Sequence, residues 1–178
     1  MASYTACKPP VSTRPGNKQS WGQLQGSAQA LAILHGAYQT AGFSLVVASD
    51  TSSALRLETE LAFFNQRDDF QILHLADWET LPYDTISPHQ DIISDRLKTL
   101  YKLPQTKQGI LVVPVTSLLQ RLMPADYLMG NSLMVERGQQ INIDNMRRNF
   151  EKAGYHSVDT VYEHGEYAVR GSLLDIFP

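Results

Sequence analysis

Apolar positions recur along this chain with two different periods, and the switches between them set out its elements. After Ser27, the residues Ala28, Leu31, Ala32, Leu34 and Ala37 keep helical spacing and predict a helix that packs closely on something flat and ends around Gly42. Phe43 to Ala48 is short, branched and apolar, and reads as a buried strand. Asp50 is placed to cap a second helix, whose Ala54, Leu57, Leu61 and Phe64 form one apolar stripe. Phe70 to Leu75 predicts a second strand. A third helix follows, with Ser87 as N-cap, Pro88 in its first turn, Gln90 closing a capping box, and Ile93, Leu97, Leu100 and Tyr101 facing inward before Pro104. Gly109 leads into Ile110 to Val115, a strand of central character with Pro114 near its end, where no ladder donor is needed. Thr116 is placed to cap a short helix carrying Leu118, Leu119 and Leu122. Strands that alternate with helices imply a parallel sheet with helices on both faces, a Rossmann-like or P-loop-like α/β half domain.

The pattern changes after Pro124. Strands are expected at Leu133 to Glu136, Val158 to Tyr162, Glu166 to Val169 and Leu173 to Phe177. Turn signals at His164-Gly165 and Arg170-Gly171 make the last three an antiparallel meander. Between them, a helix capped by Asn142 buries Ile143, Met146 and Phe150 and stops at Gly154. The expected organisation is therefore a loose leader at 1–20, an α/β domain at 21–131 and a small α+β module at 132–178. The module reads as truncated, because the chain ends on the apolar strand Leu173 to Phe177 followed by Pro178.

Composition narrows the function. In 178 residues, 43% are hydrophobic, which supports a real core and excludes disorder as the main content. Fifteen basic and eighteen acidic residues give a net charge of −3 and no basic stripe, so the usual electrostatic footprint of a nucleic-acid binder is missing. The single Cys7 has no internal partner, and no apolar run is long enough for a membrane span. A cytoplasmic protein is the expectation.

Candidate chemistry centres on the loop from Leu73 to Asp91. Its Trp78, Tyr83 and Ile86 are expected to pin it to the domain, and its Asp77, Glu79 and Asp84 raise the question of a metal or acid–base site. No matched His or Cys spacing accompanies these acids. His74, His89, His156 and His164 form no ligand pair, so no metal site is expected.

The stretches Trp78-Glu-Thr-Leu-Pro-Tyr-Asp84, Ser87-Pro-His-Gln-Asp-Ile-Ile93, Arg96-Leu97, Glu163-His-Gly-Glu-Tyr-Ala168 and Arg170-Gly-Ser-Leu-Leu-Asp-Ile-Phe-Pro178 closely resemble the amino-terminal region of the bacterial transcription-repair coupling factors, the Mfd family. That region is similar to domain 1a and the inserted domain 2 of the excision-repair protein UvrB; the resemblance maps the first to 21–131 and part of the second to 132–178. It implies a non-catalytic fragment that supplies a docking surface for UvrA. It also implies that, in the intact protein, an ATP- and Mg-dependent translocase elsewhere in the chain works on double-stranded DNA and stalled RNA polymerase. The carboxy-terminal domain would mask the docking surface until then.

Where UvrB has its P-loop, this chain has Leu24-Gln-Gly-Ser-Ala-Gln-Ala30. A Walker A loop needs several glycines, a Lys and a Ser/Thr for Mg²⁺. Only Gly26 and Ser27 remain of that pattern, so no nucleotide or other cofactor is expected in the fragment and no catalytic residue is assigned. The aromatic β-hairpin of UvrB has no room between Tyr83 and Ser87. The resemblance makes Arg170 of the Arg-Gly motif the partner-binding residue, its planar fork suited to a carboxylate, with Tyr167, Gly171 and Arg147 beside it. Two other readings stand against this one: an independent α/β enzyme using Asp77 and Asp84, and a residual nucleotide- or DNA-binding domain.

Overall fold

The computed structural model describes residues 9–12, 14–80, 83–130, 132–133 and 135–178. The chain divides into two compact units, residues 1–130 and 131–178.

The first unit is built on three parallel strands, β1 (Phe43–Ala48), β2 (Gln71–His74) and β3 (Gly109–Pro114), in the order β1-β3-β2. Every residue of β3 is buried, as its unbroken apolar run requires of a central strand. Its register sets Leu111 between Leu45 and Leu73, and Pro114 pairs with Ala48 at the strand end. Gly109 is there for space: a Cβ would stand 2.3 Å from the carbonyl oxygen of Gln71.

Two helices, α1 (Ala28–Gln39) and α2 (Thr51–Phe64), cover one face of this sheet. Ala30, Leu34 and Ala37 meet Ala54, Leu57 and Leu61 over Ile110 and Val112, and the alanines allow the close approach. Asp50 caps α2 through a 2.8 Å bond from the Ser53 amide, as its position before the helix anticipates. Four hydrogen bonds, led by the one from the Ser49 hydroxyl, hold its pKa down at about 2. Trp21 packs on α1 at Gly36, where an added Cβ would meet its ring at 2.8 Å. Val11, within the stretch expected to be loose, lies at the same place, while residues 1–8, including Cys7, and residue 13 fall outside the described residues.

The opposite face carries α3 (Gln90–Lys102), followed by a 3-10 turn at Leu103–Gln105. Leu100 and Leu103 pack on Leu73, Leu75, Leu111 and Val113. That cover does not extend over the outer edge: Leu45 and Val47 of β1 are 54% and 47% exposed, so this strand is not buried as expected but open on one side. Helix α3 starts at Gln90, with His89 as N-cap accepting from the Asp91 amide at 3.3 Å. Ser87 is not the cap, because the helix begins only at Gln90 and the residue at its threshold is His89. The inward face of α3 also differs from expectation. Arg96 and Thr99 are buried, and Leu97 is exposed.

Two short helices, α4 (Val115–Leu118) and α5 (Ala125–Gly130), end the unit. Thr116 lies inside α4 rather than capping it, since its hydroxyl is drawn to Asp77; the helix ends at Leu118, short of Leu119 and Leu122, and all three leucines are exposed. Tyr83 and Ile86 are 97% and 74% exposed, so they do not pin the loop after β2; Leu81 and Pro82 lie outside the described residues.

The second unit contains α6 (Ile143–Lys152) and a three-stranded sheet of β4 (His156–Ser157), β5 (Glu166–Arg170) and β6 (Leu173–Phe177), in that order. Asn142 caps α6 at 2.9 Å, and Met146 and Phe150 pack on Tyr167, Val169, Leu174 and Ile176. β5 and β6 are antiparallel, but β4 runs parallel to β5, so the sheet is mixed rather than a meander. Residues 133 and 135–136 form no strand, and residue 134 lies outside the described residues. Val158 to Tyr162 is a loop instead of the expected strand: after the bond from the Val158 amide to Tyr167 O, it is held by side chains of β5 rather than by a ladder.

Candidate functional site

In the first unit, polar side chains gather where the parallel strands end, the usual place for a ligand in an open α/β sheet. Asp77, just past β2, accepts the Trp78 amide at 2.8 Å, the Thr116 hydroxyl at 2.6 Å and the Gln120 amide at 3.3 Å. Burial alone raises its pKa. The hydrogen bonds from Thr116, Trp78, Gln120 and Ser117 together outweigh this and keep it below the ordinary carboxylate value.

Arg96, 2% exposed, donates to the carbonyl oxygen of Ala76 and lies 4.2 Å over the Trp78 ring. Desolvation lowers the pKa of its guanidinium, and the nearby Asp77 charge opposes that effect. The Ser117 hydroxyl donates to the same Ala76 carbonyl at 3.2 Å, and Thr99 donates to that of His74 at 2.8 Å.

This cluster therefore ties the ends of β2 and β3 to each other and to α3. The Asp77 carboxylate is occupied by donors of its own chain, which is the wrong state for a general base. Among the described residues, no group of three or more His, Cys, Asp or Glu is arranged to hold a metal. Arg96 entered the sequence reading only as part of the Arg96-Leu97 motif, and Thr99 not at all. The local signal for their burial was two polar residues at helical spacing on α3.

Gly26 and Ser27 stand at the start of α1, and Gly26 has φ +54°. The Ser27 side chain makes no cap bond, and the first amides are already spent: Ala28 N donates to Gln25 O at 3.2 Å and Gln29 N to Gly26 O at 3.4 Å. A phosphate cradle needs such amides unspent and turned outward.

In the second unit, β5 alternates strictly. Tyr167 and Val169 face α6, and Glu166, Ala168 and Arg170 face the other way. Tyr167 is fully buried against Phe150, its hydroxyl 3.2 Å from Glu151 Oε1. It was expected among the contact residues. It is a core residue instead, because its place in the strand turns it toward the helix.

Arg170 is exposed at the end of β5. Its Nε and Nη2 donate to Asp159 O at 3.2 and 2.7 Å, and Nη2 also reaches Thr160 Oγ1 at 3.1 Å. Nη1 takes no part in these bonds. At the other end of the strand, Glu166 Oε2 accepts the amides of Tyr162 and Glu163 at 2.8 and 2.9 Å. These bonds, foremost those from Tyr162 and Glu163, lower its pKa.

Gly171 turns the hairpin with φ +61°, a conformation costly for other residues. Arg147, exposed on α6, lines a cavity of about 380 Å³ with Ser157, Val158, Asp159 and Val169. The structure thus brings Arg147 and Arg170 to the same loop, Arg147 through the cavity and Arg170 through hydrogen bonds.

Residues 133–178, which lie within this second unit, match the family model of the UvrB interaction domain. Over 165 residues, 93% of its length, the chain is 47% identical to the transcription-repair-coupling factor of Escherichia coli (strain K12). The chain is homologous to the transcription-repair-coupling factors. The factor of the same name from Haemophilus influenzae is 46% identical over 96% of this chain, and that of Myxococcus xanthus is 32% identical over 92%. The chain spans 14–15% of the length of these transcription-repair-coupling factors. Among the described residues, no helix is long and apolar enough to cross a membrane.

Proposed function

We propose that this chain is a non-catalytic, UvrB-like part of a transcription-repair coupling factor and that its second unit docks UvrA. The observation that carries the reading is the match of residues 133–178 to the UvrB interaction domain, in a unit that presents Arg170 on a tight, glycine-turned hairpin. A rigid turn loses little entropy on binding, and the Nη1 group of Arg170 is left to meet a partner carboxylate. The first unit serves as scaffold. Its strand ends are closed by their own hydrogen bonds, and no ATP or Mg²⁺ is held at Gly26 and Ser27. In the intact protein, release of stalled RNA polymerase and translocation on double-stranded DNA belong to other domains. The carboxy-terminal domain masks the UvrA surface until polymerase is engaged.

The test is a calorimetric titration of purified UvrA into this chain, with ATP–Mg²⁺ and single-stranded DNA as parallel ligands. UvrA alone is expected to give a binding isotherm. Saturable binding of ATP or DNA, with none of UvrA, would refute the proposal.

A further inference from the structure

The loop from Val158 to Glu163 carries an inference that rests on the docking reading and extends it. Val158 N is fixed to Tyr167 O at 2.9 Å where the loop leaves β4, and Gly165 O accepts the His156 amide at 2.8 Å where it returns. Between these points the loop crosses the face of β5 that carries Glu166, Ala168 and Arg170. Ala168 is buried there, although it points away from α6.

Glu166 takes two of the loop's amides, and Arg170 takes a carbonyl and a hydroxyl. The segment is therefore strapped down at both ends by charge-assisted bonds and loses little freedom on meeting a partner. At its crest Tyr162 is 78% exposed, while Val161 beside it is half-buried. A large aromatic ring on a rigid support is the kind of group that dominates protein interfaces. Asp159 and Glu163, both exposed, put carboxylates on either side of it.

We infer that this strap is a second contact element of the UvrA-binding surface. Tyr162 is its anchor, entering an apolar socket rimmed by basic groups on the partner, and Glu166 is a positioning residue that holds the ring in place. The strap also lines the cavity shared with Arg147, which makes one continuous surface from α6 to the Arg170 hairpin.

Two variants of the full chain test this, with UvrA affinity by titration and hydrogen exchange of the Tyr162 and Glu163 amides read in parallel. Tyr162→Ala is expected to weaken UvrA at least tenfold while both amides keep their protection. Glu166→Ala is expected to speed exchange at both amides and to weaken UvrA at least tenfold as well, although its carboxylate faces the strap and not the partner. Unchanged affinity in Tyr162→Ala, or a strap released by Glu166→Ala with full affinity, overturns the inference. An unsubstituted chain that protects these amides but does not bind UvrA overturns the docking reading instead, and with it the partner assigned to Tyr162.

Discussion

Glu166 and Arg170 stand four residues apart on one face of β5 and grip opposite ends of the same loop, Glu166 through the amides of Tyr162 and Glu163, Arg170 through Asp159 O and Thr160 Oγ1. Opposite charges suit the two tasks. A carboxylate takes N–H groups, and a guanidinium takes a carbonyl and a hydroxyl oxygen. The loop is thus held to β5 at both ends, through two of its amides and one of its carbonyls.

Acid should loosen that grip from the Glu166 end. The two amides lower its folded pKa below the unfolded value, against a smaller opposing effect of burial. The stabilisation is therefore present above the unfolded pKa and is lost as pH falls through the folded one. Exchange protection of the Tyr162 and Glu163 amides, followed from neutral pH downward, should drop in that acidic window. In Glu166→Gln, the same measurement should show no such step.

Replacing Arg96 by Ala should destabilise the first unit by about 2–4 kcal/mol in chemical denaturation, from the lost charged donor to Ala76 O and the lost stacking on Trp78. Lys at this position keeps one donor without the planar face and should recover only part of the loss. A Trp78 fluorescence change in the folded state should accompany both substitutions.

Gly109→Ala should cost about 1–3 kcal/mol, because a methyl 2.3 Å from a backbone oxygen forces β2 and β3 apart. Thermal unfolding of the variant checks this, with the first unit's transition moving down.

Tyr167 should behave as a core residue. Phe in its place removes only the bond to Glu151 and should cost about 0.5–1.5 kcal/mol, whereas Ala should cost about 3–5 kcal/mol. UvrA affinity of the folded Tyr167→Phe chain should equal that of the unsubstituted one.

Much of this architecture was legible because local signals agreed with the tertiary outcome. Phe43 to Ala48 and Leu173 to Phe177 are strands with the bounds expected, and the unbroken apolar run at Ile110 did mark the central strand. Misreadings arose where a distant partner decided. Arg96 and Thr99 turn inward because carbonyls past β2 need donors, which periodicity on α3 cannot reveal. Leu45 and Val47 looked like core, but exposure depends on how far α3 reaches, not on the strand itself. Val158 to Tyr162 has strand composition and becomes a strap because Glu166 and Arg170 occupy its backbone. The resemblance singled out Arg170, while its bonds to a loop ten and eleven residues earlier were visible only in three dimensions.

The central claim is that the second unit docks a repair protein while the first only supports it. Titrating UvrA into the unsubstituted chain and into Arg170→Ala addresses this most directly. Saturable binding that the substitution weakens by about 2 kcal/mol or more is the result the account predicts. Equal binding by both chains, or heat from ATP alone, would contradict it.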